Sequence, residues 1–225
     1  MAAKSETGPI SGEDSLQFTR KIFRQGIDSE EVTHLYNEWS KRYDENLPPE
    51  VYGCPYAMQT AMKECFPTNR DAVTVLDVGC GTGLTGQVLR EAGFKTVDGL
   101  DPARDMLREA EAKGIYRRLM NLYFTGDPTD LPADSYDAIV LVGVMHHGSI
   151  RCDAFEEMVR LVKPGGYIVN CVRTSFLQEV PEYREHWEPL VARLEASGKW
   201  RVVKRERYPH HYLQHEGECQ VFQVL

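Results

Sequence analysis

Membrane-length apolar runs are missing from this sequence: no stretch approaches the ~20 consecutive apolar residues of a spanning helix. The opening MAAKSETGPISGED holds no apolar signal region, so a cytoplasmic, or also nuclear, location is expected and no membrane partner. Cysteine is sparse and scattered. Cys54, Cys65, Cys80, Cys152, Cys171 and Cys219 form no Cys-x-x-Cys pair, which predicts reduced thiols rather than a disulfide framework. Positive charge is also short, with 26 Lys and Arg against 34 Asp and Glu and a net charge of −8. That balance supplies no basic field for a phosphate backbone, so no nucleic-acid partner is expected. The one basic run, 199–207 (KWRVVKRER), alternates Trp200, Val202 and Val203 with charges and reads as a half-buried strand with a solvated face. His210, His211 and His215 lack a completing ligand set, so they read as a solvated hairpin turn and no metal is expected. No internal repeat is present.

The 225 residues, 42% hydrophobic and 27% charged, suit one globular α/β domain, with a monomer as the expected state. Residues 1–28 read as a flexible tail, small and polar at first. Residues 29–225 read as a single domain, a helical cap over 29–68 and an α/β core over 72–225. In the cap, Asp28 and Ser29 offer a helix N-cap, with Glu30 and Glu31 in the first turn. Val32, Leu35, Tyr36, Trp39 and Tyr43 follow at helical spacing up to Pro48-Pro49, and a second helix is predicted from Pro55 to Phe66. Strands are then predicted at 73–78, 95–101, 116–125, 136–143 and 167–172, with helices at 84–92, 104–112 and 152–162, the last closed by Lys163-Pro164-Gly165-Gly166. A long amphipathic segment over 179–197, ending at Gly198, and a hairpin near 199–208 and 218–225 complete the chain. Such alternation implies a parallel sheet covered on both faces, whose ligands sit beyond the carboxyl ends of the strands.

The chemistry-bearing segment is Val75-Leu76-Asp77-Val78-Gly79-Cys80-Gly81-Thr82-Gly83, at the end of the first strand. Three alternating glycines let backbone approach a ligand closely. Asp101 closes the second strand, where a carboxylate can accept both ribose hydroxyls of an adenosine. Gly81-Thr82-Gly83-Leu84-Thr85-Gly86 also matches GxGxxG, so a nicotinamide-dependent oxidoreductase is a rival. Asp77 opposes it: a nearby carboxylate repels a pyrophosphate by roughly 3 kcal/mol per charge pair at ~5 Å and an effective dielectric near 20. A ligand bearing an ammonium and a sulfonium is favoured instead. No Tyr-x-x-x-Lys pair of the short-chain reductase type exists.

The order Asp77-Val-Gly-Cys-Gly-Thr-Gly, Gly99-Leu-Asp101-Pro102, Gly126-Asp127, Leu131-Pro132, Tyr136-Asp137-Ala138 and Lys163-Pro164-Gly165-Gly166 resembles the class I S-adenosylmethionine-dependent methyltransferases. More narrowly, Tyr36-Asn-Glu-Trp39-Ser-Lys-Arg-Tyr43-Asp44, Gly114-Ile-Tyr116-Arg-Arg-Leu and Val142-Gly143-Val144 before His147-Gly148 resemble the Williams–Beuren-region methyltransferase-like proteins. The resemblance implies an α/β fold, a Rossmann-like seven-stranded, mostly parallel sheet in the order 3-2-1-4-5-7-6 with strand 7 antiparallel. It implies S-adenosylmethionine as cofactor and S-adenosylhomocysteine as product. Gly79, Cys80 and Gly81 would pass beside the methionine and ribose, with Asp77 and Gly83 in the same turn and Val142 and Gly143 facing it. Asp101 would hold the ribose, Pro102 and Met106 would lie near the adenine, and Asp127 would accept from the adenine amino group. Pro128 follows Asp127 and has no N–H to offer the ring.

Tyr36 and Tyr43 are candidate lid residues over the methionine end, while Trp39 on the same face reads as core. His146 and His147 follow the fourth strand, and His147 is the candidate general base. The fourth strand lacks the Asn/Asp-Pro-Pro-aromatic signature of nucleic-acid amino methyltransferases, and no Pro-Cys pair marks a pyrimidine nucleophile. The expected acceptor is therefore a small molecule or a protein side chain. A binding protein without turnover is the alternative of a different class.

Overall fold

A computed structural model of the protein describes residues 12–225. The core is a seven-stranded sheet in the order β3-β2-β1-β4-β5-β7-β6. Its strands are β1 (Thr74–Val78), β2 (Thr96–Leu100), β3 (Arg118–Met120), β4 (Tyr136–Val142), β5 (Val162–Arg173), β6 (Trp200–Tyr212) and β7 (His215–Val224). β1 pairs parallel with β2 and β4, and β5 pairs parallel with β4. β7 runs antiparallel to both β5 and β6. The order and the reversed seventh strand are those the motifs implied.

Side chains alternate between two apolar layers, as a period of two requires. From β1 and β4, Leu76, Val78, Ile139 and Leu141 enter one cluster, with Phe155, Trp187, Trp200 and Phe222. Val75, Ala138, Val140 and Val142 enter the other, with Met58, Met62, Val88 and Leu89. Burial on both faces explains why these strands read as unbroken apolar runs. The covering helices are α3 (Cys54–Cys65), α4 (Leu84–Glu91), α5 (Arg104–Ala112), α6 (Ala154–Leu161), α7 (Phe176–Glu179) and α8 (Pro181–Ala196).

The cap begins with α1 (Gly12–Ile22) and α2 (Ser29–Asn46). The Asp28 side chain accepts from Glu31 N at 2.8 Å, the N-cap the sequence predicts. Trp39 is buried and its Nε1 donates to Asn46 Oδ1 at 2.7 Å, so it is core as expected. The flexible tail to residue 28 is corrected in part. Helix α1 packs on α2, with Ile22 fully buried and Phe18 stacked on Trp39 at 5.3 Å. Its apolar residues gain a partner only from a cap formed later in the chain. Residues 1–11 of the expected tail lie outside the described residues.

Four further differences have local causes. The third strand shrinks to three edge residues, enough only to pair Asp98 to Leu100. Lys163 to Gly166 do not merely end a helix. They bulge within β5, where the register jumps from Tyr136↔Val162 to Ala138↔Tyr167, pinned by Lys163 Nζ to Asp137 Oδ1 at 2.7 Å. The 179–197 segment is the single helix α8, and the short α7 that precedes it across Val180 was not expected. The last hairpin is longer than predicted, and a register shift between Val202 and Lys204 turns Val203 outward while Trp200 stays buried.

Candidate functional site

Cavities of about 250 Å³ and about 40 Å³ open among the described residues at the carboxyl ends of the strands. Only the first approaches the size of a small-molecule site. Its floor is the turn after β1. Gly79 and Gly81 sit at φ +71° and +52°, where side chains are strained. A Cβ on Gly79 would meet Val144 Cγ1 at 2.2 Å, whereas a Cβ on Gly81 would meet nothing within 4 Å and would project into free space. The turn is therefore a cradle that a side chain would fill.

Asp101 forms one wall. Its Oδ2 accepts from Gly81 N at 2.9 Å and its Oδ1 from Ala103 N at 2.8 Å, while each oxygen keeps a lone pair for a ligand. Asn121 Nδ2 donates to the carbonyls of Asp101 and Pro102 at 3.0 and 2.8 Å, fixing the segment from behind. Burial raises the Asp101 carboxyl to about 6 against those two N–H bonds. Asp77 lies below the turn, 1% exposed. Its Oδ2 accepts from Tyr116 OH at 2.7 Å and its Oδ1 has no partner among the described residues. Burial is again the main cause that raises it, to about 7, opposed by Tyr116 and reinforced by Asp101. Two desolvated carboxyls beside a bare turn favour a cationic ligand.

The α4 N-terminus, where a dinucleotide pyrophosphate would seat, is closed off. Thr82 is buried and donates to Asp44 Oδ1 at 2.5 Å, and Asp44 also pairs with Lys113. Gly83 and Gly86 face Tyr116, whose hydroxyl lies 2.5 Å from a Cβ built on Gly86. The third glycine of the GxGxxG match thus makes room for the Tyr116 ring packed against α4.

Helix α2 roofs the cavity. Asn37 Oδ1 accepts from Asp105 N at 2.8 Å, Lys41 pairs with Glu109, and Tyr123 OH donates to Thr33 Oγ1 at 3.0 Å across the mouth. Tyr36 and Tyr43 line the space beneath. His146 Nδ1 must carry the proton it donates to His147 O at 3.0 Å, so Nε2 accepts from Tyr36 OH at 3.1 Å. Burial lowers His146 to about 4, keeping it neutral.

Of the sequence candidates, Tyr36, Tyr43, Gly79, Gly81, Asp101, Pro102, Met106, Val142 and Gly143 meet around one cavity. Asp77, Cys80 and Gly83 lie behind the turn and do not line it. Asp127 is exposed and outside it, and Tyr123, Phe124 and Thr125 occupy the wall instead. His147 is also outside, edge-on to Phe176 at 6.4 Å, while His146 faces in. His211 is no solvated turn: it is 4% exposed and bonded to Tyr208 OH at 2.6 Å. Among the described residues no group of three or more His, Cys, Asp or Glu could hold a metal, and no helix is long and apolar enough to cross a membrane.

Comparison with known proteins matches this geometry to a chemistry. The family model "Methyltransferase domain" matches residues 76–170, which span the glycine turn, Asp101 and β4. Human methyltransferase-like protein 27 is 32% identical over 173 residues, covering 77% of this chain and 69% of that protein. The chain belongs to the class I S-adenosylmethionine-dependent methyltransferases. A second relative of this methyltransferase, the malonyl-[acyl-carrier protein] O-methyltransferase of Salmonella typhimurium, is 33% identical over 134 residues, 58% of this chain and 50% of that protein. A solved S-adenosylmethionine-dependent methyltransferase from Aquifex aeolicus shares the fold, with a TM-score of 0.59 at 22% identity over 84% of this chain and 98% of its own.

Tyr116, His146, Arg173 and His211 are the polar groups at or behind the site that sequence reasoning underweighted. Tyr116 carried a signal, since Gly114-Ile-Tyr116-Arg-Arg-Leu is one of the segments on which the narrower resemblance rests. Arg173 and His211 carried none, because each acquires its setting from strands and helices far apart in the chain.

Proposed function

We propose that this methyltransferase transfers a methyl group to a small molecule or protein side chain by in-line displacement. The observation that carries the reading is the buried Asp101 carboxylate facing a side-chain-free turn whose neighbouring helix N-terminus is closed to diphosphate. The residues fit the cofactor: Asp101 would accept from the ribose hydroxyls, and Gly79 and Gly81 would run beside the methionine. Pro102 and Met106 would flank the adenine, and Phe124 and Thr125 replace Asp127 as the candidates for its outer edge. The unpartnered Asp77 Oδ1 would favour the ammonium end through the turn. Bound there, S-adenosylmethionine supplies a methyl carbon made electrophilic by its sulfonium.

The protein's contribution is placement and exclusion of water. Tyr36 and Tyr43 under α2 would present ring faces to the cation, and the bonds from α2 to Asp105, Glu109 and Tyr123 would hold the roof shut. His146 is held neutral by burial and its Nε2 is committed to Tyr36, so it orients the lid tyrosine rather than taking a proton. The acidic net charge supports an acceptor other than a nucleic acid, and the relative from Salmonella is named for oxygen methylation.

The test is incubation with isotopically labelled S-adenosylmethionine and a fractionated metabolite and protein extract. Labelled product with stoichiometric S-adenosylhomocysteine supports transfer. Tight cofactor binding with no product in any fraction would favour the silent binder.

A further inference from the structure

The second cavity, about 40 Å³, shares Tyr36, Tyr43 and Gly143 with the cofactor cavity. It lies beyond the ends of β4 and β5, on the side away from Asp101. Its walls are mostly aromatic, yet Arg173 and His211 also line it. Arg173 ends β5 half-buried, stacked over Phe176 at 4.6 Å, with its Nε donating to Ser175 Oγ at 2.8 Å. It forms no ion pair among the described residues, although Glu179 is near enough to influence it. A half-buried guanidinium with donors to spare, at the edge of an apolar chamber, is an anion site in search of its anion.

His211 is placed with equal care. His210 and Leu213, on either side, both hold left-handed conformations at φ +58° and +53°, which are strained for such residues. A chain of hydrogen bonds leads from its Nδ1 through Tyr208 to Cys54 and Cys171. Cys54 Sγ donates to Cys171 O at 3.6 Å, so Tyr208 OH donates to the Cys54 sulfur at 3.3 Å. The Tyr208 oxygen must then accept from His211 Nδ1 at 2.6 Å. With Cys54 as a neutral thiol this chain puts the proton on Nδ1 and leaves the Nε2 lone pair for a ligand. Against burial, the contacts to Cys171, His211 and Tyr208 lower the Cys54 thiol, and a Cys54 thiolate would leave both ring nitrogens protonated.

We propose that this small cavity is the acceptor subsite, and that the acceptor is a small acidic molecule bearing a protonated oxygen, nitrogen or sulfur nucleophile. The anionic oxygens of its carboxylate or phosphate seat on Arg173, and its nucleophile gives its proton to Nε2 of His211. The inference rests on the methyl-transfer reading above. As the nucleophile's lone pair forms its bond to the methyl carbon, the carbon–sulfur pair stays on sulfur and the nucleophile's proton passes to Nε2. The chamber's size limits what enters to a group of a few heavy atoms, so any larger body of the acceptor stays outside it.

The test is nitrogen-15 NMR of the histidine rings in protein saturated with S-adenosylhomocysteine, titrated with glycolate, mercaptoacetate or inorganic phosphate, and with glycolamide as the uncharged control. The expected result is a His211 ring protonated at Nδ1 and bare at Nε2, shifted saturably by at least one of the anions and not by glycolamide. Comparing glycolate with phosphate identifies the anionic group. Arg173→Gln should weaken the anion at least tenfold while S-adenosylhomocysteine binds within twofold of wild type, and Arg173→Lys should restore part of the loss. A ring protonated at Nε2, or an equal response to glycolamide, overturns the proposal without any variant. A tenfold loss of S-adenosylhomocysteine affinity in a folded Arg173→Gln protein also overturns it, because the guanidinium then grips the cofactor's own carboxylate. If S-adenosylhomocysteine fails to bind while an anion still shifts the ring, the methyl-transfer reading falls and the anion subsite stands.

Discussion

Replacing Asp101 by asparagine should move stability and affinity in opposite directions. Burial displaces this carboxyl from 3.8 to about 6. At about 1.4 kcal/mol per pH unit, keeping it ionised at pH 8 costs the ligand-free fold about 3 kcal/mol. Asparagine removes that cost but leaves one of the two N–H donors, Gly81 or Ala103, without an acceptor, a loss of about 1 kcal/mol. The ligand-free Asp101→Asn protein should therefore be about 2 kcal/mol more stable than wild type at pH 8. Binding should suffer, because charge-assisted bonds to the ribose become neutral and one position offers a donor to a donor. A loss of about 2 kcal/mol corresponds to roughly 30-fold in Kd. Denaturant melts give the first quantity, and calorimetric titration with S-adenosylhomocysteine the second. A variant that binds within threefold of wild type, or that is less stable when free, would refute the reasoning.

The same two carboxyls set a pH dependence. Their folded values lie above the unfolded ones, so their contribution to stability is fully present below about pH 4 and is lost as pH rises through about 6 for Asp101 and 7 for Asp77. A cationic cofactor favours the ionised forms, so S-adenosylmethionine should bind more tightly at pH 8 than at pH 5.5. It should release protons on binding near pH 6.5, which titration in buffers of different ionisation enthalpy detects. Gly81→Ala has room in the ligand-free protein and should cost the fold about 1–2 kcal/mol for its left-handed backbone, yet it should lower S-adenosylhomocysteine affinity at least tenfold. Tyr116→Phe leaves Asp77 without its donor and should destabilise the protein by about 1–3 kcal/mol, measured by urea melts. Equal stability would place a water or another donor at Asp77.

Elements whose pattern is local were legible in the sequence. β1 and β4 announced themselves as apolar runs because both faces are covered, and α2 through its Asp28 cap and its stripe ending before Pro48. The glycine turn and Asp101 were legible because their chemistry is carried by spacing along the chain. What was not legible depends on meetings between distant segments. Helix α1 does carry an amphipathic spacing in Leu16, Thr19, Ile22 and Phe23, but the surface it packs on, Trp39 and its neighbours, is formed later in the chain. His147 and His146 are adjacent in sequence, and only the path of the chain after β4 decides that His146 turns inward to meet Tyr36. His211 read as a solvated turn because its polar neighbours gave no sign of Tyr208, Cys54 and Gly217 closing around it. Asp127 matched a motif in register, but the three-residue β3 delivers Phe124 and Thr125 to the cavity instead.

The most direct test of the central claim is a crystal structure of the protein soaked with S-adenosylhomocysteine. The account predicts adenosine in the cavity beneath α2, with both ribose hydroxyls on Asp101 and the homocysteine chain along Gly79 and Gly81. Density for the ligand elsewhere, or a ribose turned away from Asp101, would contradict it.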